Sequence, residues 1–199
     1  MHKPMTYLKR HLVQNGYKII GKGSLAIITE SENPSYALKF TNCSATVSYL
    51  STKFTRTRGI RLMEAELVEV FNIYGVDEDI YVFRIPRLYP ITVSELNVDQ
   101  LALYRGWTAY LKHVRCSINY FSALPEQQLR VSAVAVIKKA RLPKAIKREF
   151  GKFLASLADY DEGILDTKVR GNIMLDSKGN LVINDPVFNR DTWSSNVFY

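Results

Sequence analysis

The run Ile164-Leu165-Asp166-Thr167-Lys168-Val169-Arg170-Gly171-Asn172-Ile173-Met174-Leu175, then Asp176-Ser177-Lys178-Gly179-Asn180, then Leu181-Val182-Ile183-Asn184-Asp185-Pro186-Val187, decides how this chain is read. Two short apolar stretches flank a Ser-Lys-Gly-Asn turn, which is the pattern of a β-hairpin. The ends of that hairpin carry Asp166, Asn172 and Asp185. An amide and two carboxylates at one edge suit a hard, oxygen-liganded cation such as magnesium. Such ions bridge and neutralise phosphates in phosphoryl transfer.

Upstream, three features occur in an order that gives the hairpin a context. A strand over Tyr17–Ile20 leads through Gly21-Lys22-Gly23-Ser24-Leu25-Ala26 into a second strand, Ile27 to Thr29. Two glycines between strands allow a close turn and let backbone N–H groups approach phosphate oxygens, although any hairpin can carry G-x-G. A third strand, Ser35–Phe40, places Lys39 among apolar residues, where a charge needs a partner or a ligand. An edge-strand lysine pointing to water is the alternative. Met63, Leu67, Val70 and Tyr74 then recur at steps of four, three and four, which predicts a helix from Gly59 to Tyr74. Its Glu64, Glu66 and Glu69 are available to pair with Lys39, Glu64 being preferred, and ordinary solvated charge is the other reading for all three.

The remaining elements follow from periodicity and prolines. Residues 4–14 read as a short amphipathic helix, and Ile80–Phe83 as a further strand. Pro86 and Pro90 predict an extended linker over Ile85–Pro90, a hinge between two lobes. Tyr104, Trp107, Leu111, Val114, Ile118 and Phe121 support a long helix from Asp99 to Phe121, capped by Asn97 or Asp99. Residues 130–140 fit helix or strand. Pro143 opens another helix, to Tyr160, that buries Ile146, Phe150, Phe153, Leu154 and Leu157.

Composition narrows the class. In 199 residues, 47% apolar and 12% aromatic content argues for a packed globular protein, and no apolar run is long enough for a membrane span. Cys43 and Cys116 are too few and too far apart for a disulfide framework or a zinc site. Histidines at 2, 11 and 113 suggest no Ser-His or Cys-His nucleophile. The net charge of +8 favours acidic partners, and Lys138, Lys139, Arg141, Lys144, Lys147, Arg148 and Lys152 concentrate part of it. That run is either a solvated helix face or a docking patch for an acidic protein or nucleic acid. No aromatic residues interleave with it, so base stacking is not indicated.

The run G-N-I-M-x-x-x-x-G-x-L-V-I-x-D-P-V resembles the catalytic-loop and metal-loop segment of protein-kinase-like folds. In particular it is similar to the early serine/threonine kinases of T-odd bacteriophages, with D-P-V in place of D-F-G. The resemblance implies a compact bilobal α+β kinase-like fold. Residues 1–90 would form a small antiparallel-sheet lobe and residues 91–199 a truncated helical lobe carrying the hairpin, with a nucleotide between them.

The resemblance also implies roles. Gly21, Gly23, Ser24 and Ala26 would line the phosphates of ATP. Lys39, in a strand similar to V-A-I-K, would hold the α- and β-phosphates and pair with Glu64. Asp185 would hold Mg2+, and Asn172, thirteen positions earlier, would complete a second metal or orient the first. Asp166 is the candidate base and Lys168 the candidate γ-phosphate ligand. The implied substrates are serine or threonine residues of host proteins, with transcription and translation machinery as the target class, in the host cytoplasm during infection.

The chain departs from the kinase pattern it resembles in three places. Kinases set the aspartate five residues before the asparagine, where this chain has Thr167; Asp166 is six before. Ile164-Leu165 replaces the usual His-Arg, and fourteen residues after Asp185 leave no room for an A-P-E activation segment. These departures sustain a second expectation, a kinase-fold pseudoenzyme that binds and inhibits a host protein or nucleic-acid enzyme through its basic face. A small-molecule phosphotransferase of the aminoglycoside-kinase type is a third, opposed by the basic surface.

Overall fold

Strands rich in β-branched and aromatic residues pair because each can bury one face while its backbone satisfies a neighbour. In this chain five of them form one antiparallel sheet, in an α+β protein with three α-helices among the described residues. The computed structural model describes residues 3–23, 25–52, 60–74, 78–120, 143–144, 147–148, 163–165, 171–185 and 187–189. The chain divides into two compact units, one of Met1–Lys53, Glu64–Arg87 and Phe188–Tyr199, the other of Phe54–Met63 and Leu88–Val187.

The first unit begins with helix α1 (Lys3–Gln14), followed by β1 (Ile19–Lys22), β2 (Ala26–Glu30), β3 (Tyr36–Thr41) and helix α2 (Ser44–Ser51). With β4 (Ile60–Leu62) assigned to the second unit, β5 (Glu66–Phe71) and β6 (Ile80–Pro86) complete the sheet in the order β1-β2-β3-β6-β5. Met5, Leu8 and Leu12, at helical spacing, seal one sheet face against Ile27, Phe40, Ile80 and Val82. At that face's edge Glu66 pairs with Arg84. Its hydrogen bond, and then its charge, raise the pKa of the exposed guanidinium, which also lies over the Tyr36 ring.

The helix expected over Gly59–Tyr74 is not formed. The segment contains β4, an irregular link at Met63–Ala65, and the edge strand β5, so Glu64 lies on no helix. One of the three helix-like steps, Leu67 to Val70, comes from a β-bulge. Leu67 pairs with Phe83, Glu69 with Val82 and Val70 with Tyr81, leaving Val68 as the extra residue. A bulge resets the two-residue alternation, so Leu67 and Val70 share a face three positions apart, mimicking helical spacing.

The helix in this part of the first unit is instead α2, drawn mostly from weak helix formers. Its buried stripe of Ala45, Thr46, Tyr49 and Leu50 supplies what intrinsic propensity does not. The linker expected over Ile85–Pro90 is also shorter, because β6 continues through Pro86. The ladder with β5 ends at Arg84, and Arg87 N–H turns back to the Ser35 carbonyl at 2.9 Å. The Pro86 nitrogen therefore faces a side where no partner strand needs its missing N–H.

In the second unit β4 runs parallel to β9 (Leu181–Ile183), which pairs antiparallel with β8 (Ile173–Leu175). The hairpin expected from the Ser-Lys-Gly-Asn turn is this β8–β9 pair. A 3-10 turn at Val93–Glu95 precedes helix α3 (Val98–Tyr120). Its start is a reciprocal cap: Asn97 N–H donates to Gln100 Oε1 at 2.8 Å, and Gln100 N–H to Asn97 Oδ1 at 2.9 Å. This decides the cap in favour of Asn97. Strands β7 (Gly163–Leu165) and β10 (Val187–Asn189) complete the described elements. Lys144, Lys147 and Arg148 have helical backbone, with Lys147 N–H on the Pro143 carbonyl at 3.1 Å. Residues 130–140 lie outside the described residues, as does most of the 143–160 segment. No helix among the described residues is long and apolar enough to cross a membrane.

Candidate functional site

The candidate residues of the first unit meet in one cross-strand row. Gly21 pairs with Ile28, Ile28 with Lys39, Lys39 with Phe83, and Phe83 with Leu67. Directly opposed residues share a sheet face, so this row lies on the face away from α1. Two strand spacings separate Gly21 from Lys39, about 10 Å. Lys39 is 1% exposed. Alternation along β3 puts Phe40 in the core on one side and commits Lys39 to the other.

The turn ahead of β2 is tied to the end of β3. Thr41, fully buried, donates its hydroxyl to the Leu25 carbonyl at 2.8 Å and accepts the Cys43 N–H at 3.1 Å. Gly23 N–H donates to the Ala26 carbonyl at 2.8 Å. A Cβ at Gly21 would touch only Ile28, at 3.5 Å, and one at Gly23 only the Ala26 carbonyl, at 3.9 Å. Neither glycine is required by its neighbours or by a positive φ. Ala26 is buried and pairs with Thr41, whereas Ser24 lies outside the described residues. Of the three glutamates, Glu66 is engaged by Arg84, Glu69 is exposed on β5, and Glu64 sits half-buried in the link after Met63.

The hairpin of the second unit brings Asn172 and Asp185 to the same end. One residue past the Ile173↔Ile183 pair, Asn184 N–H donates to the Asn172 carbonyl at 2.8 Å, and Asp185 follows. Gly171 adopts φ +91°, a left-handed conformation that glycine takes without strain, and so turns the chain into β8. Asn172 is 9% exposed, and its Nδ2 has no hydrogen-bond partner. Asp185 is half-buried. Asp166 and Lys168 lie outside the described residues.

The groups here that could ligate a hard divalent cation are oxygens, the Asn172 carboxamide Oδ1 and the Asp185 carboxylate one residue row away; the unpartnered Asn172 Nδ2 is a donor and cannot. Magnesium takes one or two carboxylates plus phosphate oxygens in preference to a full cage of protein ligands. Among the described residues no group of three or more His, Cys, Asp or Glu side chains could hold a metal by itself.

Sequence reasoning missed two residues that organise this hairpin. Asp176 Oδ1 accepts the N–H groups of Lys178 at 2.9 Å and Asn180 at 2.8 Å, while its carboxylate also receives Asn180 Nδ2 and lies 3.6 Å from Arg61. Gly179, at φ +74°, completes the turn, and its carbonyl accepts Gln100 Nε2 of α3 at 2.5 Å. An Asp opening a Gly-Asn turn is a recognised local signal. Asn184, the second, carried no sequence signal. It donates Nδ2 to the Gly171 carbonyl at 3.2 Å. No protein-family profile and no curated protein matches this chain.

Proposed function

We propose that this chain is an ATP-dependent protein kinase of the phage serine/threonine type, transferring the γ-phosphate to host proteins in the host cytoplasm. The observation that carries this reading is the single row that sets Gly21 two strands from the buried Lys39. A glycine row position lets phosphate oxygens approach the backbone, and a lysine buried in an apolar sheet places a positive charge where phosphate oxygens would compensate its desolvation. A five-stranded antiparallel sheet as the ATP-binding small lobe supports the same reading.

On this proposal Lys39 holds the α- and β-phosphates, and the turn from Gly21 to Ala26 covers them. Asn172 and Asp185 supply oxygens to magnesium, which when bound neutralises charge on the phosphates. Asp166 orients or accepts the proton of the substrate hydroxyl, and Lys168 steadies the γ-phosphate. Transfer rests mainly on positioning and charge neutralisation.

The test is transfer of labelled γ-phosphate from ATP with magnesium to proteins of a host extract, abolished by Asp185→Ala. Nucleotide binding is measured beside it. ATP and magnesium at about a hundred times the dissociation constant stabilise by roughly 2.7 kcal/mol, read as a melting shift. A shift without transfer to any protein rejects the kinase and favours the second reading, a kinase-fold binding module.

That second reading has its own observation. Lys144 and Arg148, one helical turn apart, are both exposed in a chain of net charge +8. A host complex that survives Asp185→Ala and is lost on charge reversal at Lys144, Lys147 and Arg148 would select it.

A further inference from the structure

We propose that Asn184 is a positioning residue that selects which end of the Asn172 carboxamide faces a bound cation. This rests on the reading of Asn172 as a cation ligand. Asn172 and Asn184 are the cross-strand pair that follows Ile173↔Ile183, joined by the 2.8 Å hydrogen bond from Asn184 N–H to the Asn172 carbonyl. Opposed residues of an antiparallel pair place their side chains on one face, with Cβ atoms about 5 Å apart. The Asn184 side chain confirms that face, since its Nδ2 reaches Met174 Sδ, two residues along β8 from Asn172, at 3.7 Å.

The two amides are complementary. Asn184 Nδ2 is committed to the Gly171 carbonyl and to Met174, which fixes its orientation because a carbonyl accepts only from a donor. Its Oδ1 is left buried and without a hydrogen bond. Across the pair Asn172 Nδ2 is likewise buried and without one. A buried acceptor and a buried donor, each unmatched, are therefore neighbours on one face. Such groups are uncommon in native proteins because each costs roughly 1–3 kcal/mol.

A rotation about the last side-chain bond lets Asn172 Nδ2 donate to Asn184 Oδ1. The carboxamide oxygen of Asn172 then points the other way. Only that oxygen can ligate a hard cation, since the NH2 end carries donors alone. An asparagine without this neighbour would present either end.

The test uses full-length protein loaded with ATP and titrated with Mn2+, free ion being read by electron paramagnetic resonance, with melting temperature recorded in parallel. Asn184→Ala is expected to weaken Mn2+ binding roughly tenfold. The deciding arm repeats the substitution in an Asn172→Asp background. A carboxylate has an oxygen at both ends, so Asn184→Ala should there change Mn2+ affinity by less than about twofold.

Equal losses in both backgrounds would show a purely structural role and overturn the proposal, as would no loss in either. Wild-type protein that binds ATP-dependent Mn2+ while Asn184→Ala leaves it unchanged refutes this inference alone. Wild-type protein that binds no such ion refutes the cation reading as well. Asn184→Leu, which keeps the side-chain volume, carries the same expectations if the alanine variant does not fold.

Discussion

Replacing Asp176 by alanine should destabilise the hairpin that carries Asn172 and Asp185, by an amount its contacts define. The carboxylate accepts two backbone N–H groups and the Asn180 carboxamide. Lys178 is exposed, so water replaces its lost acceptor at little cost, whereas Asn180 is half-buried and its two donors would be stranded. Hydrogen bonds to a charged acceptor are worth about 1.5–3 kcal/mol each when poorly compensated. The Arg61 pair, at 3.6 Å with side chains 29% and 11% exposed, adds less than about 1 kcal/mol. The expected loss is about 2–4 kcal/mol, and a chain of this size drops at least about 4 °C in melting temperature for it.

Asp176→Asn keeps one acceptor for the backbone donors but turns an amide NH2 toward Asn180 Nδ2 and Arg61. It should cost roughly half as much. Differential scanning calorimetry of the three variants Asp176→Ala, Asp176→Asn and Arg61→Ala checks the ranking. A melting point for Asp176→Ala within about 2 °C of wild type would refute the reasoning. Arg61→Ala as damaging as Asp176→Ala would instead assign the stability to the ion pair.

Two further outcomes follow from other contacts. Gly21→Ala and Gly23→Ala meet only ordinary contacts and no positive φ, so each should leave the melting point within a few degrees while weakening ATP binding in calorimetric titration; unchanged affinity would remove the phosphate role of the turn. Asn97→Ala removes the cap of α3 at a cost of about 1 kcal/mol in denaturant unfolding. Gln100→Ala should cost more, because Gln100 also holds the Gly179 carbonyl, and equal effects would contradict that second contact.

Much of the fold was legible because its signals are local. Two short apolar stretches around a Ser-Lys-Gly-Asn turn specified the β8–β9 hairpin, and five apolar steps of three and four specified α3 to within a residue at each end. Where the reading failed, the missing information was also identifiable. The bulge at Val68 exists only as a mismatch between β5 and β6, and it gave Leu67 and Val70 the three-residue step of a helix. Helix α2 is drawn mostly from serine, threonine, valine and tyrosine, and it is held by the burial of Ala45, Thr46, Tyr49 and Leu50.

The candidate site divides along the same line. Residue types and their spacing were enough to single out Lys39, Asn172 and Asp185, because a lysine inside an apolar strand and an amide and carboxylate at hairpin ends stand out against their immediate neighbours. Tertiary structure alone decided that Gly21 shares a row with Lys39, that Asp176 holds the turn, and that Asn184 faces Asn172. Those facts are pairings between strands, set by which backbone groups hydrogen-bond across a sheet. A ladder register depends on two segments at once and leaves no mark on either one alone.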